Sequence, residues 1–151
     1  MSVGAICVRS VQVASPNETV RAVAARMADA DVGTVVVLHE DGRPAGILTD
    51  RDITLRCVAK DRDPDTTEVR SVMSAPVTGV HESTPIESAL SRMAGLHARR
   101  LVVVDDQERL VGILAVDDVL ELLAEELASV GKLLQQRAHG PCAGSRVGAD
   151  S

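Results

Sequence analysis

The chain has 151 residues, 45% of them hydrophobic and 25% charged, with a formal net charge of −6; this composition allows a packed core and excludes the disordered class. With 16 Lys and Arg against 22 Asp and Glu it is a poor match for a nucleic-acid binder, whose affinity rests on clustered cations that release counterions. There is no Phe, Tyr or Trp, so the core must be aliphatic, and a bound base would have to be gripped without aromatic stacking.

In chain order, the segment Met1 to Val8 lacks a charged leader and its apolar run is too short for a signal peptide, and no stretch approaches about 18 apolar residues. The expectation is a cytoplasmic protein without membrane contact. A short strand at Val11–Val13 precedes a helix whose apolar positions Val20, Val23, Ala24 and Met27 follow helical spacing. Strands follow at Thr34–Leu38 and Ala45–Leu48, with Asp41-Gly42 marking the turn between them, and a helix starts near Asp50. The charged stretch KDRDPDTT, from Lys60 to Thr67, has no apolar residue and reads as a surface linker.

The same order then returns. A strand at Val77–Val80 leads to a helix through Ile86, Ala89, Leu90 and Met93, which Thr84-Pro85-Ile86-Glu87 is expected to open as a capping box with Pro at the first helical position. Strands at Leu101–Val104 and Val111–Leu114 and a helix from near Asp117 complete it. That last helix continues through Val130, Leu133 and Leu134, an apolar stripe that needs a partner, and the small, polar segment from His139 onward is expected to be a frayed tail.

The recurrence is a duplication. At a single offset of 66 residues, positions 16–53 match 82–119 at Arg26, Met27, Ala28, Val36, Val37, Arg43, Gly46, Ile47, Leu48 and Asp52, ten identities in 38 positions where roughly 2–3 are expected by chance. The unit is β-α-β-β-α, and two such units, neither able to bury its sheet alone, should pack sheet to sheet with pseudo-two-fold symmetry in an α/β (α+β) fold. The expected division is repeat 1 at 3–60, a linker at 61–68, repeat 2 at 69–128, a helix extension at 129–138 and a disordered tail at 139–151. Cys7, Cys57 and Cys142 are odd in number and far apart, which suggests neither disulfide framework nor zinc site; Cys7 and Cys57 read as core residues. His39, His81, His97 and His139 are scattered and form no metal motif, and no P-loop, G-x-G-x-x-G or G-x-S-x-G occurs. No catalytic set is visible, and no metal or required cofactor is expected.

The tandem β-α-β-β-α order, closed in the first copy by Gly46-Ile47-Leu48-Thr49-Asp50-Arg51-Asp52-Ile53 and preceded in the second by Val69-Arg70-Ser71-Val72-Met73 and Ala75-Pro76-Val77, resembles the cystathionine β-synthase (CBS) domain family, in particular short bacterial CBS pairs. The lead-in of the first copy carries Cys7 where that family usually has Met. The resemblance implies a non-catalytic regulatory module that binds an adenine nucleotide such as AMP, ADP or ATP in the cleft between repeats, forms a homodimer and acts on an unidentified protein. The alternative is a ligand-free dimerising scaffold.

Read from the residues, Thr49 and Asp52 stand where a strand turns into a helix, so free N–H groups and the positive helix end could seat a phosphate and Asp52 could hold a ribose diol; equally, the pair could simply cap its helix. The resemblance completes this cleft with Val77 and Thr78 for the adenine and Arg99 and Arg100 for the phosphates. It implies a second cleft at Asp118 with Val11, Gln12, Gly33 and Thr34, where Ala115 replaces the threonine and no arginine faces the phosphates. The two clefts are therefore expected to be unequal.

Overall fold

The protein is described by a computed structural model over residues 1–138; the expected tail, with His139 and Cys142, lies outside the described residues. The chain divides into two compact units, Met1–Asp118 and the segment from Val119 onward. The first contains α1 (Val3–Ile6), β1 (Val13–Ala14), α2 (Val20–Ala30), β2 (Thr34–Leu38), β3 (Pro44–Thr49), α3 (Asp50–Ile53), which runs on as a π-helical turn (Thr54–Val58), a 3-10 turn (Val69–Ser71), β4 (Gly79–His81), α4 (Ile86–Leu96), β5 (Arg100–Val104) and β6 (Leu110–Ala115). Helix α5 (Val116–Ala138) starts in the first unit and supplies the described part of the second.

Two three-stranded sheets form, in the orders β1-β2-β3 and β4-β5-β6. In each, the first strand runs parallel to the second and the second antiparallel to the third. The 66-residue offset of the sequence persists in the backbone. Thr34 pairs with Thr49 as Arg100 pairs with Ala115, and the bulge at Val37/Leu38 returns at Val103/Val104. Helices α2 and α4 both end on a left-handed residue, Asp31 and His97, and both hairpins turn through one, Gly42 and Glu108.

The β-branched runs explain why the central strands are central. Val35, Val36 and Val37, and Leu101, Val102 and Val103, are all fully buried, each stabilising the fold by roughly 1.5–3 kcal/mol. Alternation sends Val35 and Val37 to one face, where they pack with Val20, Val23, Met27, Leu48 and Cys57. Val36 lies outside that cluster and points the other way. Its equivalent Val102 is likewise buried, as sheet-to-sheet packing of the repeats requires.

The contact that joins the repeats is reciprocal. The N-terminal segment leaves its own copy and bridges the other sheet: Val8 and Ile113 exchange backbone hydrogen bonds of 2.9 and 3.0 Å, while Ser74 and Ile47 do the same at 2.8 and 3.0 Å. A second pair of bridges, Ser2 with Pro85 and Glu68 with Thr19, lies at the helix starts. Each lead-in thus extends the sheet of the opposite copy. Close approach is paid for with glycine: a Cβ on Gly46 would meet Met73 Sδ at 2.5 Å, and a Cβ on Gly112 would meet the Val8 carbonyl oxygen at 2.4 Å. The tips of the two hairpins also touch, with Leu110 N donating to the Gly42 carbonyl at 3.2 Å and Arg43 paired with Glu108 at 3.3 Å.

Some sequence expectations shift. The first strand of each copy starts later than the apolar runs suggest, at Val13 and Gly79, because the parallel ladder is entered through the Gln12 and Thr78 carbonyls, which accept from Val36 and Val102. The capping box at Thr84 does not form. Pro85 occupies the N-cap in an extended conformation with no side-chain cap, held by its bridge to Ser2; in the first copy the equivalent Thr19 does cap, its hydroxyl accepting from Ala22 N at 3.2 Å. Cys57 is fully buried, but Cys7 is only partly so, because it lies where the lead-in crosses Gly112, and burial there still pushes its thiol pKa up against the opposing charge of Arg9. The charged linker is tied down: Pro64 and Thr67 carbonyls accept from Arg21 and Val20 at the start of α2, Arg21 pairs with Asp65, and Thr67 is buried.

Two outcomes follow from these contacts. Gly112→Ala should lower the melting temperature more than Gly46→Ala, since Gly112 meets backbone and Gly46 chiefly a flexible Met73 side chain. A cost of about 2 kcal/mol, or roughly 4–8 °C, is expected for the former by circular dichroism, and equal shifts would contradict the argument. Arg26 links Glu18 (2.6 Å) to the Val13 carbonyl (2.6 Å), and its hydrogen bond holds the Glu18 pKa below the ordinary value. A carboxylate lowered by folding stabilises above its unfolded pKa of about 4.3 and loses that contribution as pH falls through its folded value. Glu18→Gln should therefore cost about 1 kcal/mol at pH 7 and converge on wild type at strongly acid pH in denaturant titrations.

Candidate ligand site at the strand-to-helix turns

The turn from β3 into α3 is built by reciprocal capping. The Thr49 hydroxyl accepts from Asp52 N at 3.2 Å, and Asp52 Oδ2 accepts from Thr49 N at 3.0 Å. The remaining donors at this helix start are also spent: Asp50 N reaches the Gly33 carbonyl at 3.0 Å and Arg51 N the Asp50 carboxylate at 2.8 Å. The free N–H groups that the sequence suggests for a phosphate are thus absent at Asp50, Arg51 and Asp52. What stays available is the Thr49 hydroxyl hydrogen and the second Asp52 oxygen, which faces Arg56 at 3.9 Å. Asp52 is largely covered, with its side chain 14% exposed.

The second turn repeats the geometry with different chemistry. Val116 N donates to the Arg99 carbonyl at 2.9 Å, as Asp50 N does to Gly33. Ala115 replaces Thr49 and offers no hydroxyl. Arg99 Nη2 is held by Asp117 Oδ1 at 2.9 Å, an exposed pair that has no counterpart in the first copy, where Gly33 and Arg51 take those positions. Arg100 is exposed at the start of β5 and makes no side-chain hydrogen bond or ion pair among the described residues. Its guanidinium is available to an anion.

Val77 lines a cavity of about 520 Å³ together with Arg43, Pro44 and Glu108 at the hairpin tips, and Thr78 contributes its carbonyl to Val102 N at 3.3 Å. Val11 and Gln12 line another cavity, with Glu18, Arg26 and His39. Thr34, read as part of the second cleft, is the cross-strand neighbour of Thr49. Among the described residues no hydrogen bond or ion pair joins Thr49 or Asp52 to Val77, Thr78, Arg99 or Arg100. Sequence reading missed Arg56, which stands four residues past Asp52, and the pairing of Asp117 with Arg99. No three His, Cys, Asp or Glu side chains come together as a metal site among the described residues.

The sequence profile of the CBS domain matches residues 3–58 and 69–125. The chain belongs to the CBS domain family. The CBS domain-containing protein YhcV of Bacillus subtilis is 41% identical over 109 residues, covering 72% of this chain and 76% of that protein. An uncharacterized protein of Methanopyrus kandleri is 36% identical over 122 residues, 81% of this chain, which spans 62% of that protein's length. Among solved structures, the cytosolic domain of the Mg2+ channel MgtE in complex with ATP superposes with a TM-score of 0.69 at 30% identity, over 80% of this chain and 48% of that one. The two CBS repeats thus carry the regulatory fold of the family, and no helix among the described residues is long and apolar enough to cross a membrane.

The capping role of the Thr49 turn is measurable without ligand. Thr49→Ala and Asp52→Ala should each cost about 1 kcal/mol in chemical denaturation, and the double variant should cost less than their sum because the bonds are reciprocal. A single variant with no measurable cost would show that its side chain does not cap the other residue's backbone N–H.

Proposed function

We propose that this CBS pair is a non-catalytic cytoplasmic sensor that binds one adenine nucleotide per chain tightly between repeats 3–60 and 69–128, works as a homodimer and passes the bound state to a regulated protein. The likeness to the ATP-bound MgtE domain carries this reading, and the chemistry of Thr49, Asp52 and Arg100 supports it. Asp52, acceptor-only, with one oxygen on the Thr49 cap and the other opposite Arg56 at 3.9 Å, suits a ribose diol. Val77 and Thr78 would meet the adenine through backbone and aliphatic contact, and Arg100 the phosphates through charge-assisted bonds. Arg99 could add to that grip by exchanging Asp117 for the nucleotide. The twin cleft, at Asp118 with Val11, Gln12 and Thr34, would accept a nucleoside more readily than a polyphosphate, because Ala115 stands there in place of Thr49 and, in this reading, Gly33 and Thr34 stand in place of Arg99 and Arg100.

One observation favours a second reading, a dimerising scaffold without ligand: the backbone donors at the Thr49 turn are already satisfied and Arg99 is paired. Binding measurements separate the two. Thermal shift followed by circular dichroism should show stabilisation by AMP, ADP or ATP, about 2.7 kcal/mol at a hundredfold excess over Kd. In calorimetry, Arg100→Ala should weaken ATP binding roughly 10- to 100-fold, from about 1.5–3 kcal/mol per charge-assisted bond. Asp52→Ala should weaken it similarly, and Asp118→Ala should leave it largely intact. A flat response to every adenylate, S-adenosylmethionine and NADH included, would favour the scaffold.

A further inference from the structure

Helix α5 presents an apolar seam that its own unit leaves open. Leu120, Leu123, Leu127, Val130 and Leu134 recur at alternating spacings of three and four, and Leu120, Leu127 and Leu134 are 56%, 71% and 62% exposed. This is the heptad pattern of a two-helix coil, two heptads long, starting within the second CBS match and running past its end at residue 125. Beside the seam run Ala124, Gly131 and Ala138, one small residue every seven. Gly131 stands in mid-helix, where it costs about 1 kcal/mol relative to Ala, and a Cβ placed there would touch nothing within 4 Å. Nothing among the described residues therefore calls for a glycine at that position, whereas a second backbone lying close against the helix would.

Charge selects the occupant. The first half of α5 carries Asp117, Asp118, Glu121, Glu125 and Glu126; from Leu127 to Ala138 there is no acid, and Lys132 and Arg137 are the charged residues. A helix with an acidic half and a basic half is complementary to itself only when reversed. Laid parallel, two copies would set five carboxylates beside five. Laid antiparallel, each basic half covers an acidic half, and the helix dipoles are opposed as well. An anionic lipid surface fits less well, since the acidic half would be repelled.

We propose that the exposed face of α5 is the contact for α5 of a second copy, packed as an antiparallel coil along Leu120, Leu123, Leu127, Val130 and Leu134. The assignment deepens the homodimer in the functional reading above, by naming its surface and polarity, and is independent of nucleotide binding. Sedimentation equilibrium on the full chain tests it, with circular dichroism confirming that each variant keeps its helix. Wild type should be a dimer, and Leu127→Asp should raise the dissociation constant at least tenfold. The double variant Lys132→Glu/Arg137→Glu should also weaken the dimer at low salt, and adding Glu121→Lys, Glu125→Lys and Glu126→Lys to it should restore association. A wild-type monomer would overturn both the dimer and this surface. A dimer untouched by Leu127→Asp would keep the dimer and overturn the surface, and a dimer untouched by Lys132→Glu/Arg137→Glu would overturn the antiparallel arrangement.

Discussion

The reciprocal exchange of lead-in segments is the constraint on which the rest of the first unit depends. Val8 bridges Ile113 and Ser74 bridges Ile47, so neither sheet is completed by its own copy. Each crossing needs backbone to pass directly over a strand, and this explains a glycine at both Gly46 and Gly112 better than turn chemistry does, since neither has a left-handed φ. The arrangement couples the repeats: loosening one lead-in exposes the edge of the opposite sheet, whose unpaired N–H and C=O groups would then need water. A ligand that bridges the repeats would act on this coupling, because a change at either strand-to-helix turn is felt by a sheet whose edge belongs to the other half.

Symmetry of backbone coexists with asymmetry of chemistry. Left-handed caps at Asp31 and His97, bulges at Val37 and Val103 and the carbonyl-to-helix bonds from Gly33 and Arg99 coincide at a single offset. The side chains laid on that frame diverge where ligand chemistry would occur: Thr49 against Ala115, Gly33 against Arg99, Arg51 against Asp117. Even the structural ion pairs follow one copy only. Glu18 and Arg26 tie β1 to the start of α2, while the second copy has Arg92 at the arginine position but Thr84 where the carboxylate would stand. Duplication supplies two equivalent turns, and substitution leaves the hydroxyl of Thr49 at one and Arg99 and Arg100 at the other.

The Thr49 turn shows how one geometry serves stability and recognition together. Capping uses one oxygen of Asp52 and the acceptor side of the Thr49 hydroxyl, leaving the other carboxylate oxygen and the hydroxyl hydrogen. The two sequence readings of Thr49-x-x-Asp52 are therefore compatible in chemistry. What capping removes is the cluster of open backbone donors, so that in the proposed function phosphate recognition would rest on Arg100.

The duplication, the strand and helix order and the buried central strands are legible in the chain because each is written in local periodicity, and the Thr49–Asp52 cap was legible as one of two readings of residues three apart. The sequence was silent on contacts between distant segments. The crossing of lead-ins, the capture of the linker by α2, the pairing of Arg99 with Asp117 and the loss of the cap at Thr84 were decided only by tertiary structure. The last case shows the physical reason: Thr84-Pro85-Ile86-Glu87 satisfies every local rule for a capping box, yet a backbone bridge from Ser2, more than eighty residues earlier in the chain, holds Pro85 extended and moves the helix start beyond the reach of the threonine.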